Sequence, residues 1–314
     1  MKKIKAIIIS FCLISIFGNN IVNANTTTIE FEVKQITNNI YSIISPSFGL
    51  PTPENKGWNS NVHFVITNDG VLLFDSGSSQ TIGNQIKKTI QSITNKPVRW
   101  IINSHSHADH WLGNAAFADT AIEIIASDKT FKTMEKYGED DVAFYKRVTN
   151  GTIGTTKLSY PNLIISKNEK RNFGNLEVEL IFSNDAHSPG DILMWLPKQK
   201  IIFGGDVLSS NWMPVITDHG NIPNLLDTLK FIVKLNPTHV LTGHGNTTNV
   251  NSVIRDLDLL SHVWKQVQSD YKNNKKPNDT ILKVKTVLGD KYKLLYNDFD
   301  AEIERHIKLM YKLQ

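Results

Sequence analysis

Apolar positions along this chain switch between a period of two and a period near 3.6, and the switching predicts an order of strands and helices. Asn61-Val-His-Phe-Val-Ile-Thr67 and Val71-Leu-Leu-Phe-Asp75 read as two strands around the turn Asn68-Asp69-Gly70. Between Thr81 and Ile93, Ile82, Ile86, Ile90 and Ile93 recur at helical spacing and mark one buried face. A strand at Val98–Asn103 follows, then a short one at Ile122–Ala126, then a polar helical insertion from Asp128 to about Val148. The second half opens with strands near Leu163–Ser166 and Leu176–Ser183, followed by Ile192–Leu196 and Lys200–Phe203. Leu225, Leu226, Leu229 and Ile232 predict an amphipathic helix, closed by Pro237 before a strand at His239–Thr242. Val250 to about Tyr271 and Asp279 to the C-terminus read as helices joined by Lys272–Asn278. Two halves of strand-plus-helix pattern predict an α/β fold with sheet packed on sheet and helices outside.

The N-terminus does not belong to that pattern. Lys2, Lys3 and Lys5 precede an apolar run from Ala6 to Phe17, and the small-residue site Val22-Asn23-Ala24 follows. That order predicts a secretory signal peptide over residues 1–24, and with it a periplasmic or secreted protein. The run is about a dozen residues, short of the roughly 20 a membrane span needs. Cys12, the one cysteine, lies inside it, so the mature chain has no disulfide, no thiolate ligand and no cysteine nucleophile. Cleavage also lowers the net charge from +4 to about +1, which gives no case for a nucleic-acid partner. The lysines at Lys272, Lys275 and Lys276 sit among asparagines and a proline and read as a solvated linker.

One run adds chemistry to this outline. Ser104-His-Ser-His-Ala-Asp-His110 sets four good ligand residues, His105, His107, Asp109 and His110, directly after a strand. Side chains on extended backbone alternate, so His105 and His107 project to one side. Asp109 and His110 lie where the chain turns into the next element, close enough to serve a second, adjacent ion. Imidazole and carboxylate suit zinc, and iron or manganese as well. Three later segments place one ligand-type residue each at a strand end: His187, Asp206 and His244. Gly205 and Gly245 beside the last two let the backbone turn sharply. Singly, each reads better as a loop side chain bonded to backbone; together they converge, because strand ends on one rim of a sandwich meet in space.

With those residues in order, the chain resembles the metallo-β-lactamase superfamily over roughly residues 28–248. The resemblance implies a four-layer αβ/βα sandwich, with helices added at the C-terminus. It implies that His105, His107 and His187 hold a first metal, that Asp109, His110 and His244 hold a second, and that Asp206 bridges them. Asp75, in Phe74-Asp-Ser-Gly77, matches the family's acidic residue after an early strand and would fix a ligand by a hydrogen bond. The implied enzyme is a dinuclear metallo-hydrolase with two Zn²⁺, in which a metal-bridging hydroxide attacks an amide, lactone, ester or thioester carbonyl and Asp109 orients it. No Gly-x-Ser-x-Gly elbow and no mature cysteine supply an alternative nucleophile.

The resemblance does not choose a substrate. The best-known β-lactamases of the family place a cysteine in the second metal site, and this mature chain has none. The Asp206 pattern looks more like that of glyoxalase II, lactonases and exported β-lactamase-like proteins. An iron-dependent persulfide dioxygenase and a non-catalytic metal-binding protein on the same scaffold are the alternatives. The partner is expected to be a small-molecule substrate, with no membrane association after cleavage and the oligomeric state open. Candidate substrate contacts are Trp58, in the loop Pro46–Ser60, and Ser209, Asn211 and Trp212 after Asp206. That loop reads equally as a flap over the metals or as core packing. The domain limits expected are 1–24 for the signal peptide, 25–248 for the metallo-β-lactamase-like domain and 249–314 for a helical extension.

Overall fold

The structure, a computed structural model, describes Ile29, residues 31–45 and residues 51–314. The expected signal peptide with Cys12, and Pro46, Phe48, Gly49 and Leu50 of the loop before Ser60, lie outside the described residues. Among the described residues, twelve strands form two sheets. The first runs in order β1 (Glu32–Thr37), β2 (Ile40–Ile44), β3 (Val62–Ile66), β4 (Val71–Phe74), β5 (Val98–Ile102), β6 (Glu123–Ser127) and β7 (Leu163–Ile165). Its first four strands make an antiparallel meander, and β4 to β7 are parallel. The second contains β8 (Glu169–Phe173), β9 (Leu176–Phe182), β10 (Ile192–Leu196), β11 (Ile201–Phe203) and β12 (His239–Leu241), antiparallel except for β11 with β12.

Period-two alternation explains how the sheets meet. Leu72, Phe74 and Ile102 point one way and share a buried cluster with Val178, Leu180, Met194 and Phe203 from the other sheet. The intervening residues Ile181, Leu193, Trp195, Ile202 and Val240 face the opposite side of the second sheet. That outer face is covered by α4 (Ile222–Leu235), α5 (Val250–Lys272), α6 (Pro277–Tyr292) and α7 (Phe299–Lys312). Strands buried on both faces read as continuous apolar runs, as Ile192–Leu196 does. Across the first sheet, α1 (Gln80–Ile93) buries Ile82, Ile86 and Ile90. The short α2 (Ala108–Trp111) packs with α3 (Asp128–Val148) through Ala108, Trp111, Met134 and Tyr145. Helix, sheet, sheet, helix is the expected four-layer αβ/βα sandwich.

Two departures from the sequence expectation have clear causes. The hairpin β1–β2 and the strand β8 are absent from the sequence outline. Both β1 and β8 are edge strands with mostly polar residues, and their pairing with β2 and β9 defines them. The last stretch is two helices, not one, broken at Lys293–Asp298. There the chain docks on a loop of the second sheet, with Asn297 N–H donating to Asn211 O and Met213 N–H donating to Asp298 Oδ1. No helix among the described residues is long and apolar enough to cross a membrane.

Candidate metal centre

Every candidate ligand follows the carboxyl end of a strand. Asp75 follows β4, His105 to His110 follow β5, His187 follows β9, Asp206 follows β11 and His244 follows β12. Backbone bonds sew these ends together: Ser76 N–H to His110 O, Ile192 N–H to Ser104 O and Gly243 N–H to Gly205 O, each 2.8 Å. His107 is the N-cap of α2, which turns Asp109 and His110 inward within one helical turn.

Two groups result. One ligand atom each from His105, His107, His187 and Asp206 lie within 4.8 Å of one another, as do those of Asp109, His110 and His244. Asp206 faces both. Its Oδ2 stands 3.7 Å from His105 Nε2 and 3.6 Å from His187 Nε2, while Oδ1 stands 3.2 Å from both His110 Nε2 and His244 Nε2. His107 presents Nδ1 to the first group, 3.1 Å from His187 Nε2. Asp109 Oδ2 lies 3.5 Å from His110 Nε2 and 3.6 Å from His244 Nε2. Nitrogens bound tetrahedrally at about 2.05 Å from a zinc sit about 3.3 Å apart, so these separations suit a shared ion.

The far nitrogens are tied down. His110 Nδ1 and Asp75 Oδ2 are 2.9 Å apart. His105 Nδ1 meets Ser104 Oγ at 2.9 Å, and that hydroxyl donates to the same Asp75 oxygen at 2.8 Å. His187 Nδ1 donates to Val215 O at 3.0 Å and His244 Nδ1 to Asn59 O at 2.7 Å. A proton held on Nδ1 leaves the Nε2 lone pair directed at the centre.

Electrostatics agree with a cation there. Burial pushes His105 well below the ordinary imidazole range and His107 down to about 4, which keeps both neutral and able to coordinate. Burial also opposes charge on His110, but Asp206, Asp109 and Asp75 outweigh it and raise that imidazole well above its usual value. His244 is raised for a similar reason, against burial and through Asp206 first. The carboxylates of this half therefore call for positive charge beside them. His105 Nε2, His110 Nε2 and Asp206 Oδ1 are buried and without a hydrogen-bond partner among the described residues. Buried orphaned atoms in each of the two groups, within a nitrogen and carboxylate donor set, fit bound metal.

The centre floors a cleft of about 1210 Å³. Its α3 wall carries Tyr137, Asp141, Phe144 and Tyr145, and α7 adds Glu302 and Arg305. The four substrate-contact candidates stand around this floor as follows. Trp58 is 1% exposed and packs edge-on against Phe31 at 4.4 Å between ring centroids. Ser209 is buried and bridges to His244. Asn211 and Trp212 sit on the neighbouring turn, and none of the four is among the described residues lining the cleft. Met213, next along the chain, lines it.

Several contributors escaped the sequence reading. Asn59 and Val215 act through backbone carbonyls, which leave no sequence signature. Asp191 accepts from His187 N–H at 2.7 Å and from the Ser188 hydroxyl at 2.5 Å, fixing the turn that presents His187. An acid directly after Pro189-Gly190 was the available signal. Tyr145 lies on a helix whose apolar spacing marks only core.

Comparison with known proteins places this geometry. The profile of the Metallo-beta-lactamase superfamily matches residues 55–244, and the chain belongs to that superfamily. Metallo-beta-lactamase IND-1 of Chryseobacterium indologenes is 26% identical over 260 residues, covering 81% of this chain and 98% of its own. A type 2 metallo-beta-lactamase of Bacillus cereus is 24% identical over 209 residues, 64% of this chain and 73% of that one. Among solved structures, a metallo-beta-lactamase from Pontibacter korlensis aligns with a TM-score of 0.61 at 17% identity, over 74% of this chain and 99% of its own. The sec-alkylsulfatase Pisa1 from Pseudomonas sp. aligns with a TM-score of 0.70 at 14% identity, over 90% of this chain and half (50%) of its own. At such identities the structural likeness establishes the fold.

Proposed function

We propose that this chain is an exported hydrolase with two adjacent zinc sites, acting on the carbonyl of an amide, lactone, ester or thioester. Asp206 carries the reading, because its one carboxylate lies 3.2 to 3.7 Å from histidine nitrogens of both groups. His105, His107 and His187 would hold one ion, Asp109, His110 and His244 the other, and Asp206 both. Bound there, such ions bring the pKa of water toward about 7 and polarise an acceptor oxygen.

The chain's own groups supply the rest. Asp109 borders the cleft with one oxygen near His110 and His244. It is placed to accept a hydrogen bond from the attacking water and so to aim it at the carbonyl. Asp75 and Ser104 hold His105 and His110 in one tautomer, and Asn59 and Val215 do the same for His244 and His187. The walls from α3, Met213 and Val215 narrow solvent access around the floor. Residues after Ala24 include no cysteine and no Gly-x-Ser-x-Gly elbow, which supports water as the nucleophile. Export rests on Lys2 to Ala24, and an N-terminus at Asn25 in protein recovered outside the cytoplasm would support it.

The test is turnover of a chromogenic cephalosporin, then of lactones, esters and thioesters, by zinc-loaded protein with and without chelator. Chelator-sensitive hydrolysis of at least one class is expected, with activity returning on zinc addition. No turnover across the panel with two ions bound would overturn the reading. Iron as the metal retained from the native host would point to persulfide dioxygenase chemistry.

A further inference from the structure

The α3 insertion contributes one polar group that nothing in the centre accounts for. The Tyr145 ring is held rigidly, at 6% exposure, among Ala108, Trp111, Leu112, Met134 and Ile153. Gly57 closes over it so tightly that a Cβ there would come within 3.1 Å of Tyr145 Cδ1. Ala108 immediately precedes Asp109, so the ring packs beside the backbone that carries a candidate ligand. The residue also lines the cleft together with His107, Asp109, Asp206 and His244. Its hydroxyl makes no hydrogen bond to the described residues. A phenol hydroxyl with no such partner, on a residue that lines the cleft, is available to bond to something that enters it.

We propose that the Tyr145 hydroxyl is a catalytic hydrogen-bond donor to the substrate oxygen that gains negative charge during hydrolysis. The inference rests on the hydrolase reading and names the group that completes it. With an ordinary value near 10, which burial raises further, the phenol stays protonated through the neutral range. The tyrosine therefore donates without giving up its proton. Fixed donors aimed at developing charge are among the largest single contributions to such reactions, since they need no reorganisation.

Tyr145→Phe in the zinc-loaded full chain tests this with three readouts. For whichever substrate the wild type hydrolyses, kcat is expected to fall roughly 10- to 100-fold with KM within about twofold. Affinity for methylphosphonate, a tetrahedral oxyanion measured by calorimetry, is expected to fall roughly 10-fold. Zinc content and melting temperature stay unchanged, whereas a merely structural hydroxyl would lower the melting temperature. Unchanged kcat together with unchanged methylphosphonate affinity overturns the proposal. If the wild type hydrolyses nothing, the hydrolase reading fails and the methylphosphonate comparison alone decides Tyr145. A wild type that neither hydrolyses nor binds methylphosphonate overturns both.

Discussion

Asp75 Oδ2 stands 2.9 Å from His110 Nδ1 and also accepts from Ser104 Oγ at 2.8 Å, so one carboxylate oxygen steadies His110 directly and His105 through a hydroxyl. Asp75→Asn would put an amide NH₂ where that oxygen sits. Facing a donor, His110 would move its proton to Nε2, the atom aimed at the centre. Zinc affinity is expected to fall roughly 10- to 100-fold, read by competition with a chromophoric chelator. Asp75→Ala should also lose stability, because Asp75 has φ +62°, a conformation asparagine tolerates far better than alanine. Unchanged zinc affinity in the Asn variant would remove Asp75 from the centre.

His107→Ala is expected to abolish hydrolysis and leave the fold in place. His107 is only half-buried, on the cleft side of the centre, so truncation opens no core cavity. Turnover should drop by at least about 100-fold, with the melting temperature of metal-free protein nearly that of wild type. His105 is fully buried, and the same truncation there should lower stability as well. Unchanged turnover in His107→Ala would sink the assignment of the first group.

Gly243→Ala tests the packing beneath the centre without replacing a ligand. An added Cβ would lie 2.1 Å from Asp206 Oδ1 and 2.6 Å from Gly205 C, so either Asp206 or the turn carrying it must move. The expected cost is about 1–3 kcal/mol of stability, with a loss of zinc affinity in the same protein. Calorimetric melting and zinc titration of one sample would read both.

His63 gives the clearest pH dependence. It is 1% exposed, and burial holds its imidazole down at about 4 against an ordinary 6.5. Its Nε2 donates to Thr242 O at 3.0 Å and its Nδ1 meets Ser42 Oγ at 2.8 Å, both satisfied by the neutral ring. The unfolded chain takes up a proton near 6.5 while the folded chain resists until about 4. Stability from this residue is therefore complete above 6.5 and is lost as pH falls toward 4, by up to about 3 kcal/mol. In metal-free protein, His63→Gln should melt with a shallower decline between pH 7 and pH 4.5 than the wild type. Equal slopes would mean that His63 is not neutral in the fold.

The candidate centre was legible because its residues announce themselves locally. His105 to His110 form one dense run, and His187, Asp206 and His244 each follow an apolar strand, so type and position sufficed. The helix Asp128–Val148 and the strand Ile192–Leu196 were legible for the same reason, a long periodic or continuous apolar pattern. What stayed hidden depends on partners far along the chain. Strand Glu169–Phe173 exists because β9 pairs with it. The break between α6 and α7 has no glycine or proline within Lys293–Asp298, and arises where Asn297 meets Asn211. Trp58 looked equally suited to flap and core, and only its contact with Phe31 places it. Tyr145 combined both difficulties, an aromatic on a helix whose free end is decided by tertiary packing.

Both ligand groups draw on both sheets. His105 and His107 ride on the first sheet and His187 and Asp206 on the second, just as Asp109 and His110 oppose His244. Neither half of the sandwich owns a complete donor set, so the centre is a seam, and an ion within it would act as a rivet between the halves. A protease nick in the connection from Ile165 to Glu169 should then leave two pieces that separate on heating at a lower temperature once a chelator strips them, when only the shared apolar core joins them. Metal supply would in that way govern how long the molecule lasts as well as what it does.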